Sequence, residues 1–305
     1  MGDVEPGPTI PPPPPVDDRC YRHPDQVTGV HCTRCGRAIC SDCMRPAPVG
    51  HQCPDCVREA RAEFRRGPGR RDAVARAKGL SGVKILLALL ALGYLWILAK
   101  VGVGALVSGP GGEGMFAAGG GFGFASGSRA IGLAAGQYWR LVSPMFLHYG
   151  LLHLAVNAYS LWIIGALVED VYGRWRLIGL FLATGIFASA ASYAFGPPAV
   201  GAGASGAVFG LLGVVLVHAY QLRGTAFGSV RMRMIGQVLL MNVILTFVSP
   251  VIDWRAHLGG FVAGIVGGYL AERGRGTAVT NAVGIGAVAA AGLVVAIAKT
   301  STLTG

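Results

Sequence analysis

Seven apolar stretches follow Leu80, each about 17–25 residues long, the length a helix needs to cross a bilayer. They run near 82–106, 147–168, 176–196, 203–222, 234–251, 255–272 and 278–298. In lipid every backbone N–H and C=O must find its partner within the segment, so such stretches read as α-helices. The expected fold class is therefore an all-α polytopic membrane protein. Of 305 residues, 52% are hydrophobic and 13% charged, against roughly a quarter charged in soluble domains. Between the first and second spans lies a long Gly-rich segment ending in Tyr138–Arg140. It fits no soluble domain and is expected to be a loop lying partly in the membrane interface.

The net charge of +11 is better explained by arginine-rich membrane flanks than by nucleic acid, which is not an expected partner. The N-terminal segment is strongly basic. Arg174 and Arg176 lie in the second-to-third joint, Arg223, Arg231 and Arg233 in the fourth-to-fifth, and Arg273 and Arg275 in the sixth-to-seventh. The opposite joints carry fewer cations. Positive-inside then puts the N-terminus in the cytoplasm and the C-terminus outside, in a multi-pass protein of the plasma membrane. Met1 is followed by acidic and Pro-rich sequence without a basic n-region and apolar h-region, so the first span is expected to lead insertion.

Residues 1–18, with the run Pro11–Pro15, read as an extended, disordered tail. Residues 19–58 hold all seven cysteines, spaced Cys20-x2-His23, Cys32-x2-Cys35, Cys40-x2-Cys43 and Cys53-x2-Cys56. Such short hooks let both ligand atoms reach one tetrahedral ion. Eight ligands suit two structural zinc ions, with His51 an alternative to one of the last two cysteines. His31 is not expected to be a ligand. The odd cysteine count and a cytoplasmic setting argue against disulfides. A segment this short cannot bury enough apolar area to fold unaided. Residues 59–79 carry Arg61, Arg65, Arg66, Arg70, Arg71, Arg76 and Lys78 and read as a basic linker against anionic headgroups.

Polar side chains inside spans are costly and mark function. The second span carries His148, His153 and Asn157, the last two four apart on one helix face. The fourth opens Gly203-Ala204-Ser205-Gly206, and the sixth contains Ala256-His257 followed by Gly260, Gly264 and Gly268. A glycine-flanked serine alone is ordinary in packed helices. Here Gly206 and Gly210 make one small-residue face and the sixth-span glycines make another, so the two helices can approach closely. Ser205 and His257 then lie at similar depth, each within a turn or two of its helix start.

The Cys-rich segment resembles the B-box and related cross-braced zinc fingers. That resemblance implies Cys20, His23, Cys40 and Cys43 on one ion and Cys32, Cys35, Cys53 and Cys56 on the other. Its functional reading is a module binding a cytoplasmic protein partner.

Residues 80–275 resemble the rhomboid family of intramembrane serine proteases. The likeness rests on Trp139-Arg140, His148-x4-His153-x3-Asn157, Gly203-x-Ser205-Gly206 and Ala256-His257, in that order. It implies a six-helix core, with residues 276–305 holding an added seventh helix and tail. It also implies an endopeptidase that cleaves transmembrane segments of other proteins in the lipid bilayer. Ser205 would be nucleophile and His257 base, with no cofactor for catalysis. His153, Asn157 and the Ser205 N–H would stabilise the oxyanion. His148 would orient helix and loop, Gly203 and Gly206 keep the approach open, and Trp139 and Arg140 anchor the first loop. Glu169 matches a structural acid. Phe209 stands where many members have tyrosine and keeps a ring able to stack on His257. The competing readings are an inactive rhomboid-like adaptor that binds client proteins, and a transporter, for which no inverted repeat is evident.

Overall fold

The computed structural model describes residues 18–47, 49–66, 81–121, 123–126, 129–248, 252–273 and 278–304. The Pro-rich tail through Asp17, and the part of the basic stretch at 67–79, lie outside the described residues. The chain divides into two compact units, Met1–Gly79 and Leu80–Gly305.

The first unit has little regular structure. Strands β1 (Arg45–Pro46) and β2 (His51–Gln52) pair antiparallel, with Arg45 opposite Gln52. Helix α1 (Pro54–Arg66) starts on a proline, whose missing N–H has no helical partner to lose there. It continues past Arg58, the expected end of the module, because the Arg-Glu-Ala-rich sequence that follows is strongly helix-forming. The first part of the basic stretch is thus helix and not linker. The core of this unit is sulfur: Cys20, Cys32, Cys40, Cys43, Cys53 and Cys56 are buried around Ile39.

In the second unit all seven apolar stretches are helices: α2 (Gly82–Val101), α5 (Leu151–Tyr172), α6 (Arg174–Phe195), α7 (Ser205–Gln221), α8 (Ala226–Val248), α9 (Trp254–Arg273) and α10 (Ala278–Thr304). Helix α2 stops at Val101 because Gly102, at φ 91°, turns the chain and donates its N–H to Leu98. Helix α8 begins before Arg231 and Arg233, which therefore ride on the helix and not in the preceding joint. The Gly-rich segment is more structured than a loop. It holds α3 (Ala105–Ser108), α4 (Gly111–Ala118), an antiparallel hairpin β3 (Gly123–Ser126) and β4 (Arg129–Gly132), and three 3-10 turns ending at Phe146.

Helices α2, α5, α6 and α10 are individually long and apolar enough to cross a membrane. The others depend on their neighbours. Helix α7 is apolar but has 17 residues, or about 26 Å against a hydrocarbon core of about 30 Å. Residues Gly206 to Val215 are all buried, surrounded by α5, α6, α8 and α9. Helix α9 is diluted by glycines that face inward.

Those glycines set the α7–α9 contact. A Cβ on Gly260 would lie 2.0 Å from the Gly206 carbonyl oxygen, and one on Gly264 would lie 1.9 Å from that of Gly210. Neither gap admits a side chain. Gly206 and Gly210 themselves turn toward α6, where added Cβ atoms would meet Ala188 at 2.7 Å and Thr184 at 2.1 Å. Helix α7 is thus pinched between two partners. At the opposite end from Ser205, Glu272 of α9 accepts from Tyr172 of α5 and meets His218 Nδ1 of α7 at 3.0 Å. Glu169 caps α2, accepting from Gly82 N at 2.7 Å and Val83 N at 3.1 Å.

Candidate active site

Helix α7 begins at Ser205, where the chain enters through Gly203 at φ 124°. This is a conformation a side chain resists. Gly203 N donates to Pro144 O at 2.8 Å, and Gly201 exchanges backbone hydrogen bonds with Gly121, at 2.9 and 2.7 Å. The Gly-rich segment thereby fastens the approach to Ser205. The first N–H groups of α7 have no partner within the helix, so the serine sits at a cluster of oriented donors with partial positive charge.

Helix α9 carries His257 to the same point. Its Nε2 lies 2.8 Å from Ser205 Oγ. The ring of Phe209, one turn into α7, stacks on the imidazole at 4.3 Å between centroids and 7° between planes. Asp253 stands one turn before His257 but is committed elsewhere. Its Oδ1 accepts from Arg255 N and Ala256 N, at 3.1 and 3.2 Å, capping α9, and its Oδ2 accepts from Ser192. Among the described residues no carboxylate hydrogen-bonds His257, so serine and histidine stand as a pair.

His153 and Asn157 flank Gly203. An added Cβ there would meet His153 Cε1 at 2.9 Å and Nε2 at 3.0 Å, and Asn157 Nδ2 at 3.9 Å. Asn157 is buried, and its Nδ2 donates to His153 O at 2.9 Å. His148 is fully buried and meets the His153 ring edge-on, 5.2 Å between centroids. Arg140 is buried and organises the first loop. It donates to Phe116 O and Gly120 O, both at 2.9 Å, and to Gln137 Oε1 at 2.7 Å, between the rings of Phe116 and Trp139. Trp139 itself is half exposed. A cavity of about 300 Å³ opens beside Ser205, lined by the hairpin, the ends of α6 and α10, and the start of α9.

A Rhomboid domain family model matches residues 135–273. The chain is 33% identical over 141 residues to putative rhomboid protease YdcA of Bacillus subtilis, covering 46% of this chain and 70% of that protein. The chain belongs to the rhomboid family. It is also 40% identical over 133 residues to rhomboid protease GluP of Bacillus subtilis, a match spanning 43% of this chain and 26% of GluP. With RHOMBOID-like protein 5 of Arabidopsis thaliana it shares 35% over 143 residues, 44% of each chain. This rhomboid is a helical, multi-pass membrane protein. The matched domain contains every polar residue just described from Trp139 to His257, and ends before α10.

Among the described residues, this rhomboid's candidate metal-binding groups lie in the first unit. Cys20, His23, Cys40 and Cys43 form one group able to hold a metal, and Cys32, Cys35, Cys53 and Cys56 form the other, in the interleaved order of a cross-brace. His51 and His31 are in neither group; His31 instead faces Asp18 at 3.8 Å. Tetrahedral zinc at ordinary bond lengths sets S···S near about 3.8 Å and N···S near about 3.5 Å. Cys35 and Cys53 sulfurs are 3.8 Å apart, and His23 Nδ1 lies 3.5 Å from Cys43 Sγ and 3.2 Å from Cys40 Sγ. No described cysteine is in a disulfide. Burial raises the Cys20 and Cys32 thiols, but backbone N–H donors at the hooks outweigh it and bring both down to about 6, while burial pushes Cys43 up to about 11 and Cys56 up to about 12. The residues fit the metal.

Sequence reasoning gave Asp253 no role, although an aspartate just before a helical stretch is a capping signal. Nor did it place α10 at the cavity, for which no local signal exists.

Proposed function

We propose that this rhomboid is an intramembrane serine endopeptidase acting on transmembrane segments of other proteins. The observation that carries the reading is the 2.8 Å contact between His257 Nε2 and Ser205 Oγ. Neutral His257 takes the serine proton at Nε2 as Oγ attacks the scissile carbonyl, then returns it to the departing amine. Water attacks the resulting ester by the same route. Phe209 holds the imidazole plane through the proton transfers. The oxyanion forms beside Gly203, where the Ser205 N–H, His153 and Asn157 converge. Hydrolysis needs water, and the cavity beside Ser205 is its route from the outer face. By the positive-inside argument, the N-terminal unit is cytoplasmic and the C-terminus external, in the plasma membrane. The Cys-rich unit holds two structural zinc ions and serves as a docking module for a cytoplasmic protein. It takes no part in the chemistry.

The test is a serine-directed fluorophosphonate probe applied to detergent-solubilised protein, alongside cleavage of a transmembrane reporter. Wild type should be labelled and active, and Ser205→Ala and His257→Ala should be neither. Labelling that persists in Ser205→Ala overturns the assignment. A folded wild type that binds the reporter without cleaving it would make the protein an adaptor.

A further inference from the structure

The cavity beside Ser205 has walls from both sides of the matched rhomboid domain, the hairpin before it and the end of α10 after it. Lys299 and Leu303, near the end of α10, line the same space as Ser205. Helix α10 is held there firmly. It packs along α6, where a Cβ on Gly292 would lie 2.8 Å from Phe187 Cα. Thr300, next to Lys299, bonds with Tyr193 OH at 3.2 Å and donates to Leu133 O at 3.3 Å. Tyr193 and Leu133 both line the cavity. The helix end is therefore pinned to the rim by the residue adjoining the lysine.

Two residues lining the cavity carry formal charge, Asp253 and Lys299. The Asp253 carboxylate already accepts from Ser192 and two backbone N–H groups. Lys299 is half-buried, and its Nζ has no hydrogen-bond or ion-pair partner among the described residues. The charged group left without a partner among the described residues lining the cavity is thus a cation on a long, adjustable stem.

We infer that Lys299 is a specificity residue that pairs with a carboxylate, favouring substrates with Asp or Glu near the scissile bond. The inference rests on the protease reading for its substrate class. A partly shielded cation gains from a carboxylate, gains little from an amide of the same shape and is repelled by a second cation. Leu303 beside it offers an apolar surface for the adjoining substrate residue. The same lysine pointing to lipid phosphate would show no preference among substrates.

The experiment uses one transmembrane substrate made with Asp, Asn or Lys at each position along its outer third. Cleavage is compared within wild type, Lys299→Met and Lys299→Glu, so that partial misfolding cancels from each ratio. At one or more positions wild type should prefer Asp over Asn by about fivefold, as for a modestly shielded ion pair. Lys299→Met should bring that ratio to about one, and Lys299→Glu should invert it in favour of the Lys substrate. The same peptides are also titrated against Ser205→Ala protein with and without the Lys299 changes. A charge preference in binding without any cleavage would remove the protease reading and keep the lysine's role. Equal Asp-to-Asn ratios in all three proteins, in cleavage and in binding, would overturn the inference.

Discussion

The Cys-rich unit and the membrane body bring reactive side chains together by opposite means. In the first, eight candidate ligands arrive on four short hooks, each hook local in sequence, and the two groups interleave around sulfur. In the second, Ser205 and His257 belong to different helices, and what joins them is the absence of side chains at Gly260 and Gly264. On the proposed reading the first unit is made by adding metal bonds to a chain too short to fold unaided. The second is made by removing atoms so that backbones touch. Each should therefore fail under a treatment that leaves the other intact.

The largest effect is expected from metal removal. Structural zinc contributes roughly 10–16 kcal/mol in small metal-dependent domains, comparable to or exceeding the stability of a whole small fold. Chelation should unfold the Cys-rich unit, read as rapid proteolysis between the hooks, and metal analysis beforehand should find two zinc ions per chain. Fluorophosphonate labelling of Ser205 should not change. Labelling that falls in step with zinc release would break the comparison.

The reciprocal test is Gly264→Val. Its Cβ would stand 1.9 Å from the Gly210 carbonyl oxygen, so α7 and α9 must part. Displacing the base by even 1 Å costs about a hundredfold in rate. Labelling should drop at least that far while zinc content stays at two. Gly286→Ala on α10, where nothing lies within 4 Å, should be harmless. Gly203→Ala comes next. It forces a side chain into φ 124° and against His153. A loss of about 10²–10³ in turnover is expected, the scale of losing an oxyanion donor.

Phe209 refines the picture of the body. Its ring lies flat on His257, and an aromatic stack contributes about 0.5–1.5 kcal/mol beyond area burial. Phe209→Leu should lower turnover about threefold to tenfold with KM little changed. Phe209→Tyr should retain activity, because the ring and not its substituent does the holding. An unaffected Phe209→Leu would show that α9 alone orients the base.

How much of this was legible beforehand divides along the same line. The hooks and the seven helices could be read because each depends on residues near one another in sequence, whereas the interleaved ligand groups join hooks about 20 residues apart and came only from the likeness to cross-braced fingers. The small-residue faces of α7 and α9 were visible as spacings, but their use was half hidden. Gly206 and Gly210 turn to Thr184 and Ala188 of α6, and the contact with α9 is made through their carbonyl oxygens. A spacing reports that a face is small and not which neighbour fills it. The Gly-rich segment was illegible for a related reason. Its order comes from Arg140 reaching back to Phe116 and Gly120 and from the Gly121–Gly201 bridge. Both are contacts between distant residues. The placement of Lys299 at the cavity belongs to the same class.

The smallest effect expected tests whether ordinary side-chain contacts matter in a unit built on metal. Asp55 accepts from Tyr21 OH at 2.9 Å and pairs with Arg37 at 3.4 Å and with Arg58. The Tyr21 hydrogen bond, ahead of the two arginines, holds its carboxyl below the usual carboxylate range. Asp55 is also the neighbour of the ligand Cys56, so a contact-built fold would suffer from its loss. If metal bonds dominate, Asp55→Ala should keep both zinc ions. The chelator concentration needed for release should fall by less than about tenfold, the scale of a single hydrogen bond. Loss of one zinc in Asp55→Ala would show that the second ligand group depends on its surroundings as α7 depends on α9. The contrast between the two units would then be one of degree.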